Sequence, residues 1–263
     1  MVRQLLCVLI VGGLVACAGA GRTSKFTAEE EVDANAQSPD LQRRSAIHLQ
    51  LAVEYFQQGQ HKSALESIRQ ALLVSPNLAD AFSLRGLVQM DQKDMVHAEE
   101  NFLHALKLAP TNSEFAHNYG WFLCQNGREK QSLTYFDQAL KDSSYVTPIK
   151  SMISAGVCSF RVKDLQGAER YFMLAFREQP NNPLVNAKLA QVNFEKSQFE
   201  KAKFYIQKLL KEEIFDADVL WLAIKINTKL GDKDTVSQLS TQLRRRHPNS
   251  NEYALLQRGA FNE

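Results

Sequence analysis

Small, aromatic and aliphatic residues recur along this chain with a period of about 34 residues. In each period a small or β-branched residue is followed four positions later by a second residue, aromatic or aliphatic in five of the six periods, and by Ala or Leu at seven, which is the spacing of one helix face. Successive triplets begin 34, 34, 36, 34 and 34 positions apart. The triplets are Ala64-Ile68-Ala71, Ala98-Phe102-Ala105, Ser132-Phe136-Ala139, Ala168-Phe172-Ala175, Ala202-Ile206-Leu209 and Val236-Ser240-Leu243. A fixed period of this length predicts stacked helical hairpins, each covering the apolar face of its neighbour.

Each period also carries signs of a turn and of a close helix contact. A small residue lies in the first half of five units, where two helices must approach closely, and Ile224 replaces it in the sixth. The turn between the two helices contains glycine in three units, while Lys93, Lys163 and Ser197 stand there in the others. Four units end at a proline, which cannot continue a helix. The small residues are Ala52, Gly86, Gly120, Gly156 and Ala190, the glycines are Gly59, Gly127 and Gly231, and the prolines are Pro76, Pro110, Pro180 and Pro248.

These features resemble the tetratricopeptide repeat (TPR), most clearly in Leu51-Ala52, Tyr55, Gly59, Ala64, Ala71 and Pro76. The resemblance implies an all-α fold over residues 39–263, a right-handed α-solenoid of about six TPR helical hairpins. We expect the repeats at about residues 45–78, 79–112, 113–146, 149–182, 183–216 and 217–250. A capping helix is expected at Asn251 to Arg258, because an end unit has no neighbour to cover it. The two-residue excess around Asp142 to Pro148 predicts a longer connection between two units.

The first residues have the pattern of an export signal. A basic start is followed by an apolar run from Leu5 to Val15, too short to span a bilayer, and by small residues. The stretch Leu14-Val15-Ala16-Cys17 resembles the lipobox of bacterial lipoproteins, in which the cysteine becomes the acylated first residue. Residues 1–16 are then a signal peptide, and residues 17–38 are an acylated, flexible tether. An ordinary signal peptide that contains a cysteine is the alternative.

No residue constellation in the sequence points to catalysis. The 31 basic and 29 acidic residues leave a net charge of +2, which offers no large positive field to nucleic acid. No phosphate loop, His-Glu-x-x-His or Cys-x-x-Cys motif occurs. His97 and His104 lie two helical turns apart, too far to share one metal easily. We therefore expect no enzyme activity, cofactor, metal site or small-molecule substrate.

Two cysteines remain for the exported domain. Cys124 and Cys158 lie one regular period apart, in the predicted first helices of the third and fourth units and at nearly equivalent heights. In an oxidising compartment they are candidates for a disulfide that pins two hairpins together. Free buried thiols are the alternative, because helices packed about 8 to 10 Å apart do not always bring cysteines within bridging distance.

The first helices of the units supply the candidate partner-binding groove. In TPR proteins these helices line the concave face, and the side chains pointing away from the small packing residue are available to a partner. The candidates are Leu49, Val53, Phe56, Leu87, Met90, Trp121, Ile153, Val157 and Phe160. So many apolar side chains suit an amphipathic helix or an extended apolar peptide. The alternative is that neighbouring segments of the chain cover some of them.

The lipobox, tether and six repeats together resemble the type IV pilus biogenesis and stability lipoproteins of the PilF/PilW family. The stretches Asn118-Tyr119-Gly120-Trp121-Phe122-Leu123-Cys124 and Glu169-Arg170-Tyr171-Phe172 carry this resemblance. It implies a pilotin, lipid-anchored in the outer membrane and facing the periplasm, that helps the pilus secretin PilQ to localise and multimerise. The absence of Asp after Cys17 also favours the outer membrane.

Two other functions remain open at this point. A repeat lipoprotein that serves as scaffold for another outer-membrane or cell-wall assembly machinery would share the lipobox and the repeats, and would differ in the partner that copurifies. A periplasmic hydrolase, or a regulator of one, would need a catalytic constellation that the sequence does not show.

Overall fold

The computed structural model describes residues 38–261, so the signal, Cys17 and nearly all of the predicted tether lie outside the described residues. Thirteen α-helices and no strands occur within the described residues. The helices are α1 Pro39–Gln57, α2 His61–Val74, α3 Ala79–Asp91, α4 Met95–Leu108, α5 Ser113–Gln125, α6 Glu129–Lys141, α7 Pro148–Arg161, α8 Leu165–Glu178, α9 Pro183–Glu195, α10 Phe199–Lys211, α11 Ala217–Leu230, α12 Lys233–Arg246 and α13 Asn251–Arg258.

The helices form six antiparallel hairpins, from α1/α2 to α11/α12, stacked in chain order. The second helix of each hairpin packs against the first helix of the next, and α13 packs against α11 and α12. First helices also contact first helices of neighbouring hairpins, in the pairs α1/α3, α3/α5, α5/α7 and α9/α11. We call the surface lined by these first helices the inner face. The fold is therefore the all-α TPR solenoid that the sequence pattern predicts.

Matched small and large residues hold the two helices of each hairpin together. A Cβ atom on Gly156 would lie 2.5 Å from Cε1 of Phe172, a distance that no packed atom tolerates. Equivalent positions of the six hairpins carry Ala52 with Ile68, Gly86 with Phe102, Gly120 with Phe136, Gly156 with Phe172, Ala190 with Ile206, and Ile224 with Ser240. The combined volume of the two side chains is therefore nearly the same in every hairpin, as close packing requires. The sixth unit is the exception, because its large residue, Ile224, is on the first helix and its small residue, Ser240, is on the second.

The turns inside the hairpins require left-handed backbone. Gly59, Gly127 and Gly231 have φ of 71°, 75° and 75°. Lys93, Lys163 and Ser197 stand at the equivalent places with φ of 66°, 60° and 57°. A non-glycine residue in this conformation costs about 1 kcal/mol, so the turn geometry is imposed by the packing of the two helices and not by glycine.

The longer connection in the chain lies between α6 and α7. Six residues, 142–147, join these helices, whereas four residues join α4 to α5 and α8 to α9. Tyr145 turns inward from this connection and is buried in a cluster with Ala116 and Ala139. Its hydroxyl accepts a hydrogen bond from Ser151 Oγ over 3.2 Å. The insertion is therefore anchored to both adjoining hairpins.

Candidate partner-binding groove

The nine residues proposed for the groove all lie on first helices and are half-buried. Leu49, Val53 and Phe56 on α1 pack against one cluster, whose centre includes Ile68 and Leu84 of the first two hairpins. The remaining six are distributed over α3, α5 and α7, as Leu87 and Met90, Trp121, and Ile153, Val157 and Phe160. Each side chain packs against the core on one side and is accessible to solvent on the other. Together the nine residues form a band of half-buried apolar surface on the inner face, which we call the apolar strip.

These nine residues do not converge on one cavity. Leu87 and Met90 pack against the cluster around Phe102 and Tyr119, and the three residues of α7 pack against the cluster around Phe172. The structure therefore divides the candidates into three groups along the solenoid, with Trp121 between the second and the third. A partner that contacts all of them would have to be extended along the stack.

A disulfide joins the first helices of the third and fourth hairpins. Cys124 of α5 and Cys158 of α7 are bonded, with 5.9 Å between their Cα atoms. This separation lies within the range of about 4.4 to 6.8 Å that disulfides require. Both cysteines are buried beside Phe136 and Ala155. The covalent link fixes α5 and α7 to each other at the middle of the inner face.

Trp121 lies beside this disulfide and beneath a cation that the sequence pattern did not reveal. The guanidinium carbon of Arg161 lies 5.9 Å from the centre of the Trp121 ring. Nη1 of Arg161 donates to the backbone oxygen of Cys124 over 3.2 Å and to Oε1 of Gln125 over 3.1 Å. Trp121 therefore offers a partner an indole with a positive charge over its ring. Position 161 does not continue the spacing of residues 153, 157 and 160, so the sequence pattern gives no signal for it.

His117 occupies the inner-face position equivalent to Leu49 and Ile153, but its ring is only 4% exposed. Nδ1 lies 2.9 Å from Ser151 Oγ, and the ring packs on Phe136. Burial, aided by the nearby Lys150 charge, lowers the pKa of His117 to about 4. The imidazole is therefore neutral at neutral pH and contributes a polar packing contact to the groove, not a charge.

The inner face continues into the last two hairpins, which the predicted groove does not include. Positions equivalent to Leu49, Val53 and Phe56 carry Ala187, Gln191 and Phe194 in α9, and Trp221, Lys225 and Thr228 in α11. A cavity of about 290 Å³ lies here, bounded by α9, α11 and α13. The same count of positions along the sequence, carried through the fifth and sixth units, would have identified these residues.

Residues 38–261 lack two features that would suggest other functions. Within that range, no group of three or more His, Cys, Asp or Glu side chains is arranged to hold a metal ion. None of the helices there combines the length and apolar character needed to cross a bilayer.

The hairpins match a known repeat type, and the chain as a whole is similar to known proteins. Two tetratricopeptide-repeat family models match residues 45–78 and 101–134, so the hairpins are TPR units. The crystal structure of PilW, described as a widely conserved type IV pilus biogenesis factor, is 33% identical, covers 81% of this chain and 97% of its own, and superposes with a TM-score of 0.74. The chain belongs to the PilF/PilW family of type IV pilus biogenesis TPR proteins.

Relatives from Pseudomonas aeruginosa support the same family. The type IV pilus assembly protein PilF of strain PAO1 is 27% identical over 254 residues, which is 96% of each chain. The solved structure of Pseudomonas aeruginosa PilF is 25% identical, covers 84% of this chain and 99% of its own, and has a TM-score of 0.75. MamA, at 16% identity and a TM-score of 0.54, shares the fold.

Proposed function

We propose that this chain is a non-catalytic lipoprotein of the outer membrane that binds the type IV pilus secretin, a PilQ-like protein, and promotes its localisation and multimerisation. Membership of the PilF/PilW family is the observation that carries the proposal, because a PilF relative is a pilus assembly protein and PilW a pilus biogenesis factor. The inner face supplies a surface suited to a protein partner. Twitching motility and fimbrium formation would depend on it.

In this proposal the lipid anchor determines the localisation of the domain at the outer membrane. Cys17 would carry acyl chains, each buried methylene of which contributes about 0.8 kcal/mol to membrane binding. Residues 17–38 would connect the lipid to the repeat domain as a tether. The domain would then work close to the periplasmic surface of the outer membrane, and a secretin subunit bound to it would share its export route.

The apolar strip supplies the binding energy. The accessible sides of Phe56, Leu87 and their neighbours would accept an amphipathic helix or an extended apolar segment of the secretin. The disulfide between Cys124 and Cys158 holds the centre of the strip in place. A rigid surface loses little conformational entropy on binding, which favours affinity.

A charge placed on the strip should abolish this interaction. In a host that lacks the native gene, we expect Phe56→Asp or Leu87→Asp to lower the amount of secretin multimer about tenfold or more, because an unpaired carboxylate would be desolvated in the interface. Multimers are measured on a non-reducing, low-heat gel. Ile47→Asp is the matched control, since Ile47 is on the same helix as Phe56 and 51% exposed.

Folding and membrane attachment of each variant are checked by circular dichroism and by fractionation. Normal secretin multimers in cells that carry a folded, membrane-bound Phe56→Asp or Leu87→Asp chain would show that the strip is the wrong surface. Equal loss with Ile47→Asp would show that the effect is not specific to it.

A further inference from the structure

The inner face of the fifth and sixth hairpins forms a cleft with aromatic walls. Phe194 of α9 and Trp221 of α11 stand on either side of Lys225, whose ammonium nitrogen lies 5.2 Å and 5.8 Å from the two ring centres. Both distances are short enough for cation–π attraction. We call these three residues and the space they border the C-terminal cleft.

The C-terminal cleft is large enough for an aromatic ring. Two cavities of about 290 and 270 Å³ share Phe194, Glu195 and Lys225, so they are adjoining parts of one cleft. An apolar cavity of about 150 Å³ suffices to bind benzene. Leu222 and the stem of Lys225 add apolar surface. Lys188, Glu195, Asp218 and Glu252 also line the cleft, so it combines a volume sufficient for an aromatic side chain with polar groups that can bind the backbone of an extended segment.

The chain itself places an aromatic side chain here. Helix α13 ends at Arg258, the following residue Gly259 reverses the chain with a φ of 67°, and the N–H of Ala260 donates to the oxygen of Leu255. The ring of Phe261 then stacks on Trp221, with 5.6 Å between ring centres and 29° between planes. Phe261 shows which chemistry the cleft accepts, namely a planar ring that stacks on the indole.

The C-terminal helix α13 packs against the core through Tyr253, Leu255 and Leu256, which are only partly buried. No residue of α13 is fully buried, in contrast to α11, which buries seven. A segment with few buried contacts opens at low cost. Opening of the contact between Phe261 and Trp221 is therefore expected to cost less free energy than opening of a contact between two hairpins.

We propose that the C-terminal cleft is a second peptide-binding site, which accepts an aromatic side chain from an extended partner segment and for which Phe261 of the same chain competes. The site lies at the opposite end of the solenoid from Leu49 and Phe56, so this inference does not rest on the proposed function. Removal of the Phe261 ring frees Trp221 for an external ring.

A fluorescein-labelled peptide of residues 257–263 is the probe, and its binding to the full exported chain is measured by fluorescence anisotropy. We expect the Phe261→Ala chain to bind it about 2- to 10-fold more tightly than the wild-type chain, since one aromatic pair of ordinary strength no longer competes. A peptide with Ala at position 261 should bind at least tenfold more weakly. This loss would show that the ring is the recognised group.

Variants of the cleft are made on the Phe261→Ala background. Phe194→Ala is expected to weaken peptide binding at least fivefold, and Lys225→Met, which keeps the stem but removes the ammonium, about 2- to 5-fold. Phe204→Ala is the matched control, because Phe204 is 55% exposed on α10 and outside the cleft, and it should leave binding unchanged. Thermal melts verify folding, and Lys225→Met remains informative if Phe194→Ala unfolds.

Three results would overturn the inference. One is no binding of the peptide to the Phe261→Ala chain at about 1 mM, the weak end of specific affinity. Another is equal affinity for the wild-type and Phe261→Ala chains. The third is equal binding by folded cleft variants and the Phe204→Ala control. None of these results bears on secretin multimers, so failure here and failure of the proposed function are distinguishable.

Discussion

Loss of the disulfide between Cys124 and Cys158 is expected to lower the free energy of unfolding by about 4 kcal/mol, because the bond closes a long loop, with a sequence separation of 34, and restricts the unfolded chain. The variant is Cys124→Ala combined with Cys158→Ala, which keeps both buried positions apolar. Urea unfolding of the oxidised wild-type chain and of the double variant measures the difference.

A reducing agent provides the control for this experiment. Dithiothreitol should destabilise the wild-type chain and leave the double variant unchanged. Equal unfolding free energies of the oxidised wild-type and double-variant chains would contradict the expectation. Complete alkylation of both thiols in the exported protein, measured by mass spectrometry, would show that the bond is not formed there.

Removal of the Phe172 ring is the second change with a large expected effect. The ring is completely buried against Gly156, in a cluster that also contains Val185 and Leu189 of the next hairpin. Phe172→Ala leaves a cavity that Gly156 cannot fill, and such substitutions cost about 3 to 5 kcal/mol. The melting temperature of a domain of this size should fall by about 10 °C or more.

The matched control for Phe172→Ala is Phe204→Ala, which deletes the same group from a ring that is 55% exposed. Circular dichroism melts of the two variants and the wild-type chain give the comparison. The packing account requires the first variant to melt well below the second. Similar melting temperatures for the two variants would show that the small and large pairs do not determine the stability of the hairpins.

The fold could be predicted from the sequence because its determinants are local and repeated. Gly156 and Phe172 lie close together in the chain, within one hairpin, and similar pairs recur in every unit. In the sixth unit Ile224 and Ser240 occupy the same two repeat positions, with the large and the small residue exchanged. The repeat period is therefore visible without any knowledge of which hairpins touch.

The details of the inner face were less predictable because they depend on contacts between units. Trp121 is predicted as a groove residue by its place in the repeat, but the cation over its ring comes from Arg161, which belongs to the next hairpin. His117 stands at a groove position, yet the connection before α7 and the first turn of that helix supply Tyr145 and Ser151, which help to bury it.

The C-terminal cleft depends on a contact with no periodic signal at all. Phe261 follows the last repeat and packs back on Trp221 of α11 after a reversal at Gly259. Nothing in the sequence near position 261 indicates this contact, because an isolated aromatic residue after a short helix has many possible neighbours. Long-range packing of end segments becomes visible only in the folded chain.

The central claim, that this chain brings the pilus secretin to the outer membrane and promotes its multimerisation, is tested most directly by deleting its gene in the native host. Inner and outer membranes are separated, and secretin multimers are detected on a non-reducing, low-heat gel. The account predicts loss of the multimer or its relocation to the inner membrane, with recovery when the wild-type gene is restored. Unchanged multimers in the outer membrane would contradict it and favour a scaffold for another assembly machinery.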